Sequence, residues 1–203
     1  MCSGTVTNPF GIVSESDTRT APRKPPFIPS FGFVETHESQ PIDAPSARII
    51  DAVAALDMRT DPVIDALLAV REAPAAVARL VGRRSGGAAR ERFGFDTFTL
   101  LHRDDTSLSL GLVGRFWRPT PDVRPIDDAA AFVRHADPHD AKLVLRFEVV
   151  GLPSGARFLR TETFVHCPSK RTRALFVPYW LAIRLASGWI RRRTLAAVEL
   201  AVG

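Results

Sequence analysis

Between residues 107 and 117 the chain alternates, with Leu108, Leu110, Leu112, Gly114 and Phe116 in one phase. A period of two marks a β-strand, because successive side chains point to opposite faces. One apolar face of this length needs paired neighbours and a covering layer, so it commits this part of the chain to a sheet. Residues 142–150 repeat the pattern with Leu143, Leu145, Phe147 and Val149. After the loop Gly151-Leu-Pro-Ser-Gly155, residues 156–166 resume it, which predicts an antiparallel hairpin. Upstream, residues 93–101 are rich in Phe and Thr, and Asp104-Asp105 supplies a turn. Gly111 and Gly114 inside the alternating run mark a bend or a close approach.

The period on either side of this block is helical. Ser46 can cap a short helix carrying Ile49, Ile50, Val53 and Leu56. A second follows from Asp61 and Pro62 through Val63, Leu67, Leu68 and Val70 to Pro74, with a further turn over residues 75–81. Before both, Phe31 and Phe33 followed by polar residues give a short strand. Residues 119–140 are proline-rich and irregular, with an edge strand near Val123 and a helical turn over residues 128–133. The chain closes on a long helix over residues 169–202, where Phe176, Tyr179, Trp180, Ile183, Ser187, Ile190, Leu195 and Val198 form one stripe. Pro178 and Gly188 predict a kink in it. Pro22, Pro25, Pro26 and Pro29 end a polar N-terminal stretch, so residues 1–30 read as a disordered tail and residues 31–203 as one domain.

Composition limits the function classes. A chain of 203 residues can bury a core without disulfides or metal staples. The 27 Lys and Arg against 22 Asp and Glu leave a formal charge of +5. Only Lys24, Lys142 and Lys170 are lysines, an arginine skew that points to genome composition rather than to a nucleic-acid partner. The excess collects late, at Lys170, Arg171, Arg173, Arg184 and Arg191 to Arg193. Cys2 and Cys167 belong to no metal or redox spacing, and there is no signal-peptide pattern or spanning apolar run. The expectation is a cytoplasmic protein without cofactor, metal or catalytic residues, its oligomeric state left open.

The spacing of His135 and His139 would suit a metal on a helix, but Pro138 interrupts it and no His-Glu-x-x-His surrounds it, so a solvated loop accounts for the pair. His166 and Cys167 are adjacent on a strand and point to opposite faces, which makes a buried or edge thiol the simpler reading. The glycines of residues 82–87 follow no suitable strand and form no phosphate-binding motif. On residues 156–166 one phase holds Leu159, Thr161, Thr163 and Val165, and the other Phe158, Arg160, Glu162, Phe164 and His166. Either the small set lies beneath a helix and the charged set pairs across strands on the far face, or the register is reversed and Glu162 becomes a buried polar anchor.

The order strand, two helices, antiparallel strands, long helix resembles the START-like superfamily, also called SRPBCC or helix-grip. The segments carrying the resemblance are Leu112-Val-Gly-Arg-Phe-Trp-Arg-Pro119, Thr161-Glu-Thr-Phe-Val-His166, Tyr179-Trp-Leu-Ala-Ile-Arg184 and Ser187-Gly-Trp-Ile-Arg-Arg192. They look like those of an uncharacterised bacterial subgroup, over residues 33–200. The resemblance implies an α+β fold in which a curved antiparallel sheet wraps the C-terminal helix and encloses a cavity. It further implies a binding or carrier protein for a small hydrophobic or amphipathic ligand, such as a lipid, polyketide or isoprenoid. The expected lining is Leu112, Phe116, Leu145, Phe147, Thr161, Thr163, Tyr179, Trp180 and Ile183. A second expectation is a polyketide cyclase or aromatase type of enzyme, using Arg115, Glu148 or Glu162 as polar anchors. A third is association with a membrane surface through Trp180, Trp189, Ile190 and Arg191 to Arg193.

Overall fold

The computed structural model describes residues 25–55, 98–118, 121–153 and 155–202, without the side chains of residues 183–194, 197 and 199–201. In chain order the elements are β1 (Phe33–Glu38), α1 (Ser46–Ala55), β2 (Thr99–Arg103), β3 (Ser107–Arg115), β4 (Asp122–Arg124), α2 (Ala129–Arg134), β5 (Ala141–Gly151), β6 (Arg157–His166) and α3 (Lys170–Val202). The architecture is α+β, built on a six-stranded antiparallel sheet ordered β1-β6-β5-β3-β2, with β4 also on β3. The helix expected over residues 61–74 and its extension lie outside the described residues.

The central hairpin follows directly from the alternation. β5 and β6 pair from Lys142 against His166 to Gly151 against Arg157, joined by the short loop the sequence predicts. β3 lies on the other side of β5, from Ser107 against Glu148 to Gly114 against Ala141. The outer edge of β3 is shared: β2 pairs with Leu108 to Gly111 and β4 with Val113 to Arg115. β2 continues two residues beyond the expected end at Leu101, with a bulge between Leu100 and His102. Asp104 shapes the turn that follows, its carboxylate accepting the N–H groups of Thr106 and Ser107 at 2.7 Å each.

Both faces of the sheet are covered. On one, α1 and the end of α3 enclose an apolar cluster of Ile49, Ile50, Val53, Leu108, Leu110, Phe147, Leu159 and Val198. Farther along the same face, Phe33, Leu112, Val165, Phe176 and Trp180 form a second. The opposite face carries Leu101, Val113, Val144 and Phe164, and is covered by Phe132 of α2 together with Ile28 and Phe31.

That third cluster corrects the boundary drawn at residue 30. Ile28 is 2% exposed, and the Phe31 ring meets Phe164 edge-on at 5.1 Å, so residues 25–30 belong to the packed domain. Proline keeps such a segment out of helices and central strands but does not stop it from burying apolar side chains. α3 is continuous through Pro178, which lies on its exposed side. Its start is fixed by Ser169, whose Oγ accepts the Thr172 N–H at 3.1 Å, while the Thr172 hydroxyl donates to Pro138 O at 2.7 Å. Among the described residues no helix is long and apolar enough to cross a membrane.

Candidate functional site

The helix-covered face of the sheet holds most of the expected lining, in two groups. Leu112, Phe116, Tyr179 and Trp180 sit at one end in a packed aromatic cluster. Trp180 is 2% exposed, 5.4 Å from Phe33 and 6.1 Å from Phe176 between ring centroids, and Phe116 meets Phe176 edge-on at 5.8 Å. These rings close on one another and make this end solid core. Leu145 and Phe147 belong to the other cluster, under α1 and the end of α3. The side chain of Ile183 lies outside the description.

Thr161 and Thr163 are buried on β6 between those clusters, since Leu159 belongs to one and Val165 to the other. The neighbouring strand places Glu35 opposite Thr163 and His37 opposite Thr161. Glu35 is 8% exposed, and His37 Nε2 lies 3.0 Å from its Oε1. A carboxylate, an imidazole and two hydroxyls thus form one polar patch on an otherwise apolar face. Alternation brings it about: Phe33 enters the core, and Glu35 and His37 repeat its phase. Neither residue stands out in the sequence, because the apolar signal of β1 ends at Phe33. The phase of Phe33 was the available signal, but its pairing with Phe31 was misleading. The chain turns at Gly32, whose N–H donates to Val165 O at 2.9 Å, and sends Phe31 to the opposite face.

The three residues expected as polar anchors lie elsewhere. Glu148 and Glu162 share the phase of Val144 and Phe164, on the face away from α3. There Glu148 Oε1 accepts from Arg146 at 2.9 Å, and Arg160 pairs with Glu38 at 2.7 Å and reaches Glu148 at 3.7 Å. Opposite charges alternate along this row, the arrangement that cross-strand neighbours favour. Of the two registers left open for residues 156–166, the structure has the one with Thr161 and Thr163 beneath the helix. Arg115 turns to the sheet edge, 3.0 Å from Asp122 and 3.3 Å from the buried Asp140. Asp140 also takes Arg124 Nε at 3.2 Å and His135 Nε2 at 3.1 Å, so β3, β4 and the end of α2 are joined through one carboxylate.

His139 is exposed and apart from this network, its backbone N–H donating to Asp137 at 2.8 Å. No group of His, Cys, Asp and Glu with metal-ligand geometry occurs among the described residues. Cys167 packs beside the aromatic cluster, and burial pushes its thiol up to about 12, which leaves almost no thiolate at neutral pH. His166 points to the other face, with Ser30 Oγ 3.1 Å from its Nδ1. No family model matches this chain, and no curated protein matches it.

Proposed function

We propose that the protein is a START-like, helix-grip carrier that encloses a small amphipathic molecule between the sheet and α3. The observation that carries this reading is the patch of Glu35, His37, Thr161 and Thr163 between two apolar clusters on the face beneath the helix. Glu35, Thr161 and Thr163 are buried, and a face meant only for core packing gains nothing from polar side chains that must be desolvated and matched. A ligand with one hydroxyl or carbonyl end and an apolar body would use both parts. Its polar end would meet the threonine hydroxyls and the Glu35–His37 pair, with its body along Leu145 and Phe147. Lipid, polyketide and isoprenoid molecules all have this form. Tyr179 and Trp180, packed on Phe33, Phe116 and Phe176, would close the far end of the space rather than receive the ligand.

A cyclase or aromatase reading would have to run on Glu35 and His37, because Glu148 and Glu162 face away from α3. Titration with the neutral fluorophore N-phenyl-1-naphthylamine tests the carrier reading. Saturable binding at one site is expected, weakened at least tenfold in Thr163→Phe, whose ring would take the ligand's place, with the Thr161→Phe variant as a second check. Absence of saturable binding to the wild-type protein would sink the proposal. Vesicle flotation separates it from surface attachment, in which the protein would follow anionic liposomes without ligand.

A further inference from the structure

A cavity of about 420 Å³ lies on the opposite face of the sheet, away from α1 and α3. One of its walls is Lys142, near the start of β5 and paired with the last residue of β6. The residue is only 6% exposed, yet among the described residues its ammonium donates a single hydrogen bond, to Val133 O at 2.9 Å. The face of the Phe132 ring lies 5.5 Å away. Among the described residues no carboxylate pairs with it. Lysine is seldom buried without a counter-charge, because the low dielectric penalises an isolated ammonium.

The buried carboxylate of this cavity is committed elsewhere. Asp140 lines the same cavity, but Arg124, Arg115 and His135 surround it at 3.2, 3.3 and 3.1 Å. His166, the cross-strand partner of Lys142, lines the cavity as well, so the two nitrogen-bearing side chains stand side by side on one face. Phe27, Ile28 and Pro168 supply apolar wall. Asp137 also borders the space and accepts a backbone hydrogen bond, its negative charge weighing against a ligand with two or more.

We propose that this cavity is a binding site for a small monocarboxylate with a short apolar body, its carboxylate seated on the Lys142 ammonium beside His166. The free N–H groups of Lys142 would be satisfied by charge-assisted bonds, and the body would replace water against Phe27, Ile28 and Pro168. Desolvation holds the Lys142 ammonium below lysine's usual range, and a bound anion would reverse that.

Calorimetric titration of the full chain with sodium hexanoate tests this. Saturable binding is expected, at least tenfold tighter than that of hexan-1-ol, which has the same body without the charge. Lys142→Met keeps the stem and should lose that tenfold preference. Val133→Trp, at an exposed wall position, should block the cavity without altering the lysine, and stands in if the first variant fails to fold. Hexanoate should leave bound N-phenyl-1-naphthylamine in place, since that probe reports the other face. No saturable hexanoate binding, unchanged affinity in either folded variant, or displacement of the fluorophore would each overturn the proposal.

Discussion

Adding one methyl group at each of three glycines measures how closely the sheet is packed. At Gly111 a Cβ would stand 2.7 Å from Phe132 Cε2 and 2.8 Å from Leu101 Cδ1. Phe132 is fully buried, so it cannot swing away, and overpacking of this kind costs ~1–3 kcal/mol. Replacing glycine also restricts the unfolded chain, which returns ~0.4–1 kcal/mol. The net expectation for Gly111→Ala is a loss of about 1–2 kcal/mol. Gly114 is more demanding. Its φ of +136° is one that side-chain-bearing residues rarely adopt, and a Cβ would collide with the carbonyl oxygen of Asp122 and stand 2.9 Å from Val123 Cα. Those are backbone atoms of β4, so relief requires β4 to leave β3, and strain plus overpacking come to about 3–5 kcal/mol. At Gly151 nothing lies within 4 Å, and alanine should change stability by no more than ~0.5 kcal/mol. With ~2–4 °C per kcal/mol for a chain of this size, the melting temperature should fall by about 5 °C at Gly111, by about 10 °C at Gly114 and hardly at all at Gly151. Urea unfolding and thermal melts on the three variants give the comparison. If Gly111→Ala proves as silent as Gly151→Ala, α2 does not press on β3 and the reasoning fails.

Other consequences follow from single groups. The His102 imidazole and the Thr106 and Ser107 N–H groups hold the Asp104 carboxyl well below the usual carboxylate range. Its contribution is present above about pH 4, and is lost as pH falls toward the depressed folded value. Because the side chain is half exposed the effect is small, but Asp104→Asn should flatten the fall of the urea midpoint between pH 5 and pH 2.5, and equal slopes would count against it. Cys167, pushed up to about 12, should react with iodoacetamide at pH 8 at least a hundredfold more slowly in the native than in the unfolded chain, as read by peptide mass spectrometry. Trp180→Ala removes a ring packed on Phe33 and Phe176 and should destabilise by about 3–5 kcal/mol in urea unfolding, whereas a loss below 1 kcal/mol would mean a loosely filled end. In urea unfolding Asp140→Asn should cost about 2 kcal/mol, less than the ~3–5 kcal/mol of a broken fully buried ion pair, because Arg115 and Arg124 keep Asp122 and partial access to water.

The alternation of residues 107–117, 142–150 and 156–166 determined three strands and which of their side chains share a face. Spacing of three and four residues likewise determined α1 and the long α3, and Asp128 began α2 where a helical turn was expected, its carboxylate accepting the Ala131 N–H at 2.6 Å. These are local properties, carried by residues a few positions apart. Tertiary structure decided which strand stands beside which, and this placed the polar groups. Thr161 and Thr163 are legible as small residues of one phase, but only the pairing of β1 with β6 sets His37 and Glu35 opposite them, more than a hundred residues away. Leu112, Phe116 and Trp180 are legible as apolar, while their closure into solid core depended on Phe33 and Phe176 arriving from separate elements. Lys142 reads in the sequence as one charge among many on a strand. It became a buried ammonium because residues 25–31 and α2 cover that face, and a one-dimensional period cannot say what will lie on top of it.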